Sequence, residues 1–153
     1  MARVPAVSAL DAHLGYWLRF VSNQVSHAFA LKLTTCGVTV AEWVVLRTLF
    51  DVAGMMQSAL ADRMGMTRGA ISKLADRLAA KALLERFGDA GDRRTQTLRL
   101  TESGRKLVPV LAALADKNDT EFFGHLSKHD RRSLESVLKA VVERKALRSI
   151  PVD

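Results

Sequence analysis

Arg93 and Arg94 stand side by side in the stretch DAGDRRTQTLRLT, residues 89–101, with Asp89 and Asp92 just ahead of them. Guanidinium groups at the tip of a turn can hold phosphates or enter a narrow minor groove, where negative potential is concentrated. Carboxylates facing phosphates would be repelled, so Asp89 and Asp92 read as residues that orient the arginines, and Arg93 as the one that reaches a polyanion. A second group of such residues lies upstream, in TRGAISKLADRL, residues 67–78. There Ile71, Leu74, Ala75 and Leu78 recur at helical spacing and predict a buried stripe, which leaves Arg68, Gly69, Ser72, Lys73 and Asp76 on the opposite face and Arg77 at its flank. Arg68 and Lys73 can read guanine edges or hold phosphates, and Ser72 can do either. With Thr67 as the helix cap, the candidate DNA-binding residues are Thr67, Arg68, Gly69, Ser72, Lys73, Arg77, Arg93 and Arg94.

Other reactive residues form weaker patterns. His125 and His129 have the four-residue spacing of a helical metal pair, with Asp130 adjacent, but Ser127 caps a helix between them and breaks the shared face. No metal and no cofactor are expected. Cys36, next to Gly37 at the end of a helix, reads as a small packing residue, and as the lone cysteine it cannot form an intrachain disulfide. No Ser-His-Asp or Cys-His arrangement, phosphate loop or paired-carboxylate site stands out, so enzymatic activity is not expected.

The whole-chain charge agrees with a polyanionic partner. A net charge of +7 and a pI near 10.1 favour nucleic acid or an anionic membrane surface. Between Gln57 and Leu100 the chain carries nine Lys or Arg against five Asp or Glu, so much of the excess lies where contact is expected. No apolar stretch approaches the length of a membrane span, no signal peptide is visible, and the single cysteine suits a reducing cytoplasm, the expected location. At 153 residues with 48% hydrophobic composition, one well-buried core is expected and two ordinary domains are not.

The elements that must position these residues follow from periodicity and capping. Leu10, Leu14, Trp17, Leu18, Val21, Val25, Phe29 and Leu33 predict a first helix ending near Gly37. Thr39 with Glu42 predicts a capping box opening a second helix to about Phe50. Gln57–Met64 reads as a short helix closed by Gly65, with Thr67 capping the next. Leu84–Phe87 and Thr97–Leu100 alternate as a hairpin around the charged turn. Thr101 caps a long helix whose apolar positions are Leu107, Val110, Leu111, Leu114, Phe122 and Leu126, with a kink expected at Pro109. Ser127 and Asp130 open the last helix, with Leu134, Val137, Leu138, Val141 and Val142 as its stripe. The fold class is mainly α with a small β-hairpin wing: a winged helix-turn-helix lobe plus further helices.

Two motifs carry a family resemblance. LADRMGMTRGAISKLADRLAAKALLER resembles the helix-turn-helix of the multiple antibiotic resistance regulator (MarR) family, and DAGDRRTQTLRLTESG resembles its wing and the start of the following helix. The order of elements matches over residues 8–147. The family's wing usually reads Asp-x-Arg-Asp-x-Arg; Asp89, Asp92 and Arg94 match, while Gly91 replaces the first arginine. Met56 stands where a capping Ser or Thr is common. The resemblance implies one MarR-like domain over residues 1–153, with a DNA-binding lobe at 38–101 and a helical dimerisation region at 8–36 and 102–148. It also implies a homodimer reading a pseudo-palindromic double-stranded DNA site and regulating transcription, commonly as a repressor relieved by a ligand or by oxidation. His13, Tyr16, Trp17, Phe20, Trp43 and Arg47 are the candidates to line a pocket for a small aromatic or amphipathic effector between the dimer helices and the lobe. Two other uses of the basic surface stay open: docking an acidic protein, and sequence-independent DNA compaction.

Overall fold

A computed structural model describes residues 6–88, 91–92 and 95–148. Six α-helices and three short strands follow one another as α1 (Leu14–Thr34), α2 (Val40–Phe50), β1 (Met55–Met56), α3 (Gln57–Met64), α4 (Arg68–Ala80), β2 (Leu84–Phe87), β3 (Thr97–Leu100), α5 (Glu102–Phe123) and α6 (Lys128–Arg144). Their boundaries are set largely by caps. Thr39 Oγ1 accepts from the Glu42 amide at 3.2 Å while the Thr39 amide donates to Glu42 Oε2 at 3.0 Å, closing the expected capping box. Thr67, Thr101 and Ser127 cap α4, α5 and α6 through the amides of Ala70, Gly104 and Asp130. Gly65 ends α3 with φ of 64°, a left-handed turn that glycine adopts without a steric penalty, so α4 can start three residues later.

The hairpin is as expected, and it gains a third strand that alternation could not reveal. The sheet runs β1-β3-β2, antiparallel throughout, with Met55 opposite Leu98 and Phe87 opposite Thr97. At two residues, β1 is too short to show a period. Met56 offers α3 no side-chain cap, but the first amide of the helix, that of Gln57, donates to the Gln96 carbonyl at 3.1 Å, so the approach to β3 satisfies one of the free N-terminal donors.

Three boundary expectations need correction. The first helix does not run from Leu10; Leu10–Ala12 form a 3-10 turn, His13 is extended, and α1 starts at Leu14. The helix capped by Thr101 stops at Phe123, so Leu126, expected among its apolar positions, lies in the turn before α6. On α5 the buried positions are Gly104, Val108, Leu111 and Asn118, whereas Val110 faces solvent. Gly104 sets that rotation, because a Cβ there would lie 2.1 Å from the Leu83 carbonyl oxygen, and only a glycine lets the helix pack so close. α5 continues on both sides of Pro109 as one helix.

The core is one cluster of aliphatic side chains that includes Leu46, Leu49, Leu60, Ile71, Leu78 and Leu98, joined by Leu33 of α1 and by Val108 and Leu111 of α5. The two outer helices are different. No residue of α6 is buried, and Leu134, Val137, Leu138, Val141 and Val142 are exposed, as are Leu14, Trp17, Leu18, Phe20 and Val21 of α1. Apolar stripes this long, left open to water, mark an interaction surface.

Candidate nucleic-acid interface

The described basic residues of the helix pair and wing divide into two sets. Lys81, Arg86 and Arg99 are internal fasteners. Lys81 Nζ donates to Glu42 Oε2 and to the Gly37 carbonyl, both at 2.7 Å, tying the end of α4 to the start of α2. The Glu42 carboxylate is almost fully buried and sits over the first turn of its own helix, so the capping amide and the ammonium together compensate its charge. Arg86, on β2, reaches across to α4, with Nη1 on Asp76 Oδ1 and Nη2 on the Ser72 carbonyl at 3.2 Å. Arg99 pairs with Glu85 at 2.8 Å and lies over the Phe87 ring, 3.4 Å from its centroid, across the outer face of the sheet.

Arg63, Arg68, Lys73 and Arg77 form the second set. All are exposed, and none of them makes an ion pair among the described residues. Arg68, Gly69, Ser72 and Lys73 lie three and four apart on α4 and so share one face, opposite the buried Ile71, Leu74, Ala75 and Leu78. Ser72 is half-buried, while Thr67 and Gly69 are exposed at the helix start. A helix whose inner stripe is locked into the core and whose outer stripe carries uncompensated cations is shaped for a groove lined by phosphates.

The wing tip is described only in part. Asp92 is exposed, and its carbonyl accepts from the Thr95 amide at 3.3 Å and the Thr95 hydroxyl at 3.2 Å, which turns the chain back toward β3. Asp89, Arg93 and Arg94 lie outside the described residues.

The six effector-pocket candidates occupy two places in the fold. Tyr16 packs edge-on against Trp17 and stacks with Phe20 near the start of α1, where the Trp17 indole donates to the Asp11 carbonyl and His13 is exposed. Trp43 instead meets Phe29 edge-on where α1 crosses α2, and Arg47 is drawn to Asp51 and over Phe50. Phe29 lies thirteen residues along α1 from Tyr16, or roughly 20 Å at 1.5 Å per residue. Cys36 is half-buried, with its sulfur 3.8 Å from the Thr35 hydroxyl. His125 and His129 are both exposed, and Ser127 caps α6 between them.

Sequence reasoning missed the Arg86 and Lys81 fasteners and counted both as part of the basic surface. Their partners are ten and thirty-nine residues away, beyond any helical or strand period.

Two helices joined by a tight glycine turn, a three-stranded wing and a cation-bearing outer face on the second helix define a winged helix-turn-helix DNA-binding protein. Comparison with known proteins narrows the class. The MarR family model matches residues 37–95. A Thauera aromatica protein named as a transcriptional regulatory protein for the hcr operon is 30% identical over 132 residues, spanning 86% of this chain and 80% of the relative. Among solved structures, the Staphylococcus aureus MepR–DNA complex is similar with a TM-score of 0.77 at 25% identity, over 86% of this chain and 98% of that one. CouR from Rhodococcus jostii RHA1 bound to p-coumaroyl-CoA has a TM-score of 0.75 at 27% identity, over 88% and 95%. The chain belongs to the MarR family of transcriptional regulators.

No helix among the described residues is long and apolar enough to cross a membrane.

Proposed function

We propose that the protein is a ligand-responsive repressor that binds a pseudo-palindromic DNA site as a homodimer. The observation that carries the DNA-binding part is the division of the basic residues: Arg68, Lys73 and Arg77 stay exposed, with no ion pair among the described residues, on and beside one face of α4, while the neighbouring Lys81, Arg86 and Arg99 bind acidic groups of the lobe itself. In this reading Arg68, Ser72 and Lys73 face base edges and phosphates in the major groove, with Thr67 and Gly69 at the helix start and Arg77 on the flanking backbone. Arg93 and Arg94 reach the minor groove from the wing, and Asp89 and Asp92 orient them. The DNA complex of a similarly folded relative supports DNA as the partner.

The exposed apolar stripes of α1 and α6 support the homodimer, with residues 8–36 and 102–148 forming the shared helical region and residues 38–101 the DNA-binding lobe. The ligand-bound relative supports an effector, which here would be a small aromatic or amphipathic compound. Trp43, at the crossing of α1 and α2, is the candidate best positioned to sense it, since that crossing joins a dimer helix to the lobe.

The test is selection of bound genomic fragments by the purified protein, followed by affinity measurements on the selected and on scrambled duplexes at two salt concentrations. The expected result is a specific-to-non-specific ratio of about 1,000 or more, with two half-sites about one helical turn apart and two chains per site. Equal affinity for both duplexes, falling with salt alike, would replace this reading with sequence-independent DNA compaction.

A further inference from the structure

Among the described residues nothing requires a glycine at position 69. It is the second residue of α4, it is exposed, and beyond its chain neighbours and its own helix backbone a Cβ added there would meet no atom of the described residues within 4 Å. Its φ is not in the positive range that favours glycine. The contrast with Gly104, which must be bare to pass the Leu83 carbonyl, and with Gly65, which must turn left-handed, is plain. In the first turn of a helix a glycine adds flexibility that an alanine would remove, so the fold alone would be better served by alanine. The position is flanked by Arg68 and lies on the face shared with Ser72 and Lys73.

We propose that Gly69 is a steric determinant of DNA recognition: the missing side chain lets the double helix approach the α4 backbone more closely than any other residue would allow. This rests on the reading that α4 faces the major groove. Under it, the contacts of Arg68 and Lys73 depend on that approach distance, because a methyl group at position 69 would hold the helix away from the base edges.

Gly69→Ala separates a role in the fold from a role in recognition, since the two predict opposite signs. The variant should melt about 1–4 °C higher than the wild type. Its affinity for the selected site should nevertheless fall at least about fivefold, the loss of a modest base contact. The salt slope should stay unchanged, because no charge is removed. Arg68→Ala and Lys73→Ala are measured on the same duplex. If they weaken binding while Gly69→Ala stays within about twofold of wild type, the steric role is overturned and the groove reading survives. If all three bind like wild type, α4 does not face the DNA and both readings fall.

Discussion

Replacing Arg86 by Met tests how the wing is held against the helix it flanks. Methionine keeps most of the long apolar stem while removing the two guanidinium hydrogen bonds, to Asp76 Oδ1 and to the Ser72 carbonyl. A hydrogen bond to a charged group contributes about 1.5–3 kcal/mol, which applies to the part-buried Ser72 contact. The Asp76 contact counts for less: its carboxylate is 51% exposed against 20% for Arg86, so it falls near the ~0–1 kcal/mol of a surface ion pair. The expected loss of stability is therefore about 1.5–3 kcal/mol, or a fall in Tm on the order of 5 °C. Urea denaturation of Arg86→Met, Asp76→Asn and the double variant would give a coupling of about 0.5–1 kcal/mol for the ion pair alone. DNA affinity should drop further than stability does, because β2 is no longer tied to the backbone of α4. A variant within 0.5 kcal/mol of wild type, roughly the scatter of neutral surface changes, and with no coupling to Asp76 would refute the idea that this side chain clasps wing to helix.

Two further outcomes follow from local geometry and charge. Ala82 sits at φ 56°, a left-handed conformation that costs an alanine roughly 1–2 kcal/mol, so Ala82→Gly should raise the denaturation midpoint despite glycine's greater freedom when unfolded; a lowered midpoint would contradict this. The Glu121 carboxyl is held below its ordinary value by its hydrogen bond to the Lys32 ammonium, 2.6 Å away. Because the folded value lies below the unfolded one, the stabilisation is present above the unfolded value and is lost as pH falls through the folded one. Melting of Glu121→Gln should decline less steeply on acidification below about pH 5 than that of wild type, and superimposable acid limbs would show that the pair does not contribute.

Much of this architecture could be read from local signals. Thr39, Thr67, Thr101 and Ser127 announced their helices because capping is a matter of a few adjacent residues, and the inner stripe of α4 followed from its period. What escaped was everything decided by distant backbone. The rotation of α5 depends on how close Gly104 comes to the Leu83 carbonyl, so Val110, which fits an apolar period with Leu107 and Leu114, ends on the outside. Strand β1 exists only because β3 pairs with it. For the site, residue types on α4 indicated cations on an outer face, but not which cations the lobe would consume. Asp76 and Glu42 draw in Arg86 and Lys81 through contacts with no sequence signature, and Trp43 on α2 packs on Phe29, well along α1 from the Tyr16, Trp17 and Phe20 group.

The dependence of α3 on the approach to β3 also orders events in time. Met55 and Met56 have no strand to pair with, and the Gln57 amide no acceptor, until Gln96, Thr97 and Leu98 exist. The loop after α2 is likewise pinned late, when the Arg105 guanidinium takes the carbonyls of Phe50 and Val52, each at 3.1 Å. Closing such a loop costs chain entropy before any contact repays it. During synthesis α2, α3 and α4 therefore leave the ribosome before the contacts that complete the lobe can form, because those contacts need β3 and the first turn of α5. A chain stopped between Ala80 and Arg105 carries α4 complete but lacks the guanidinium that pins the loop after α2.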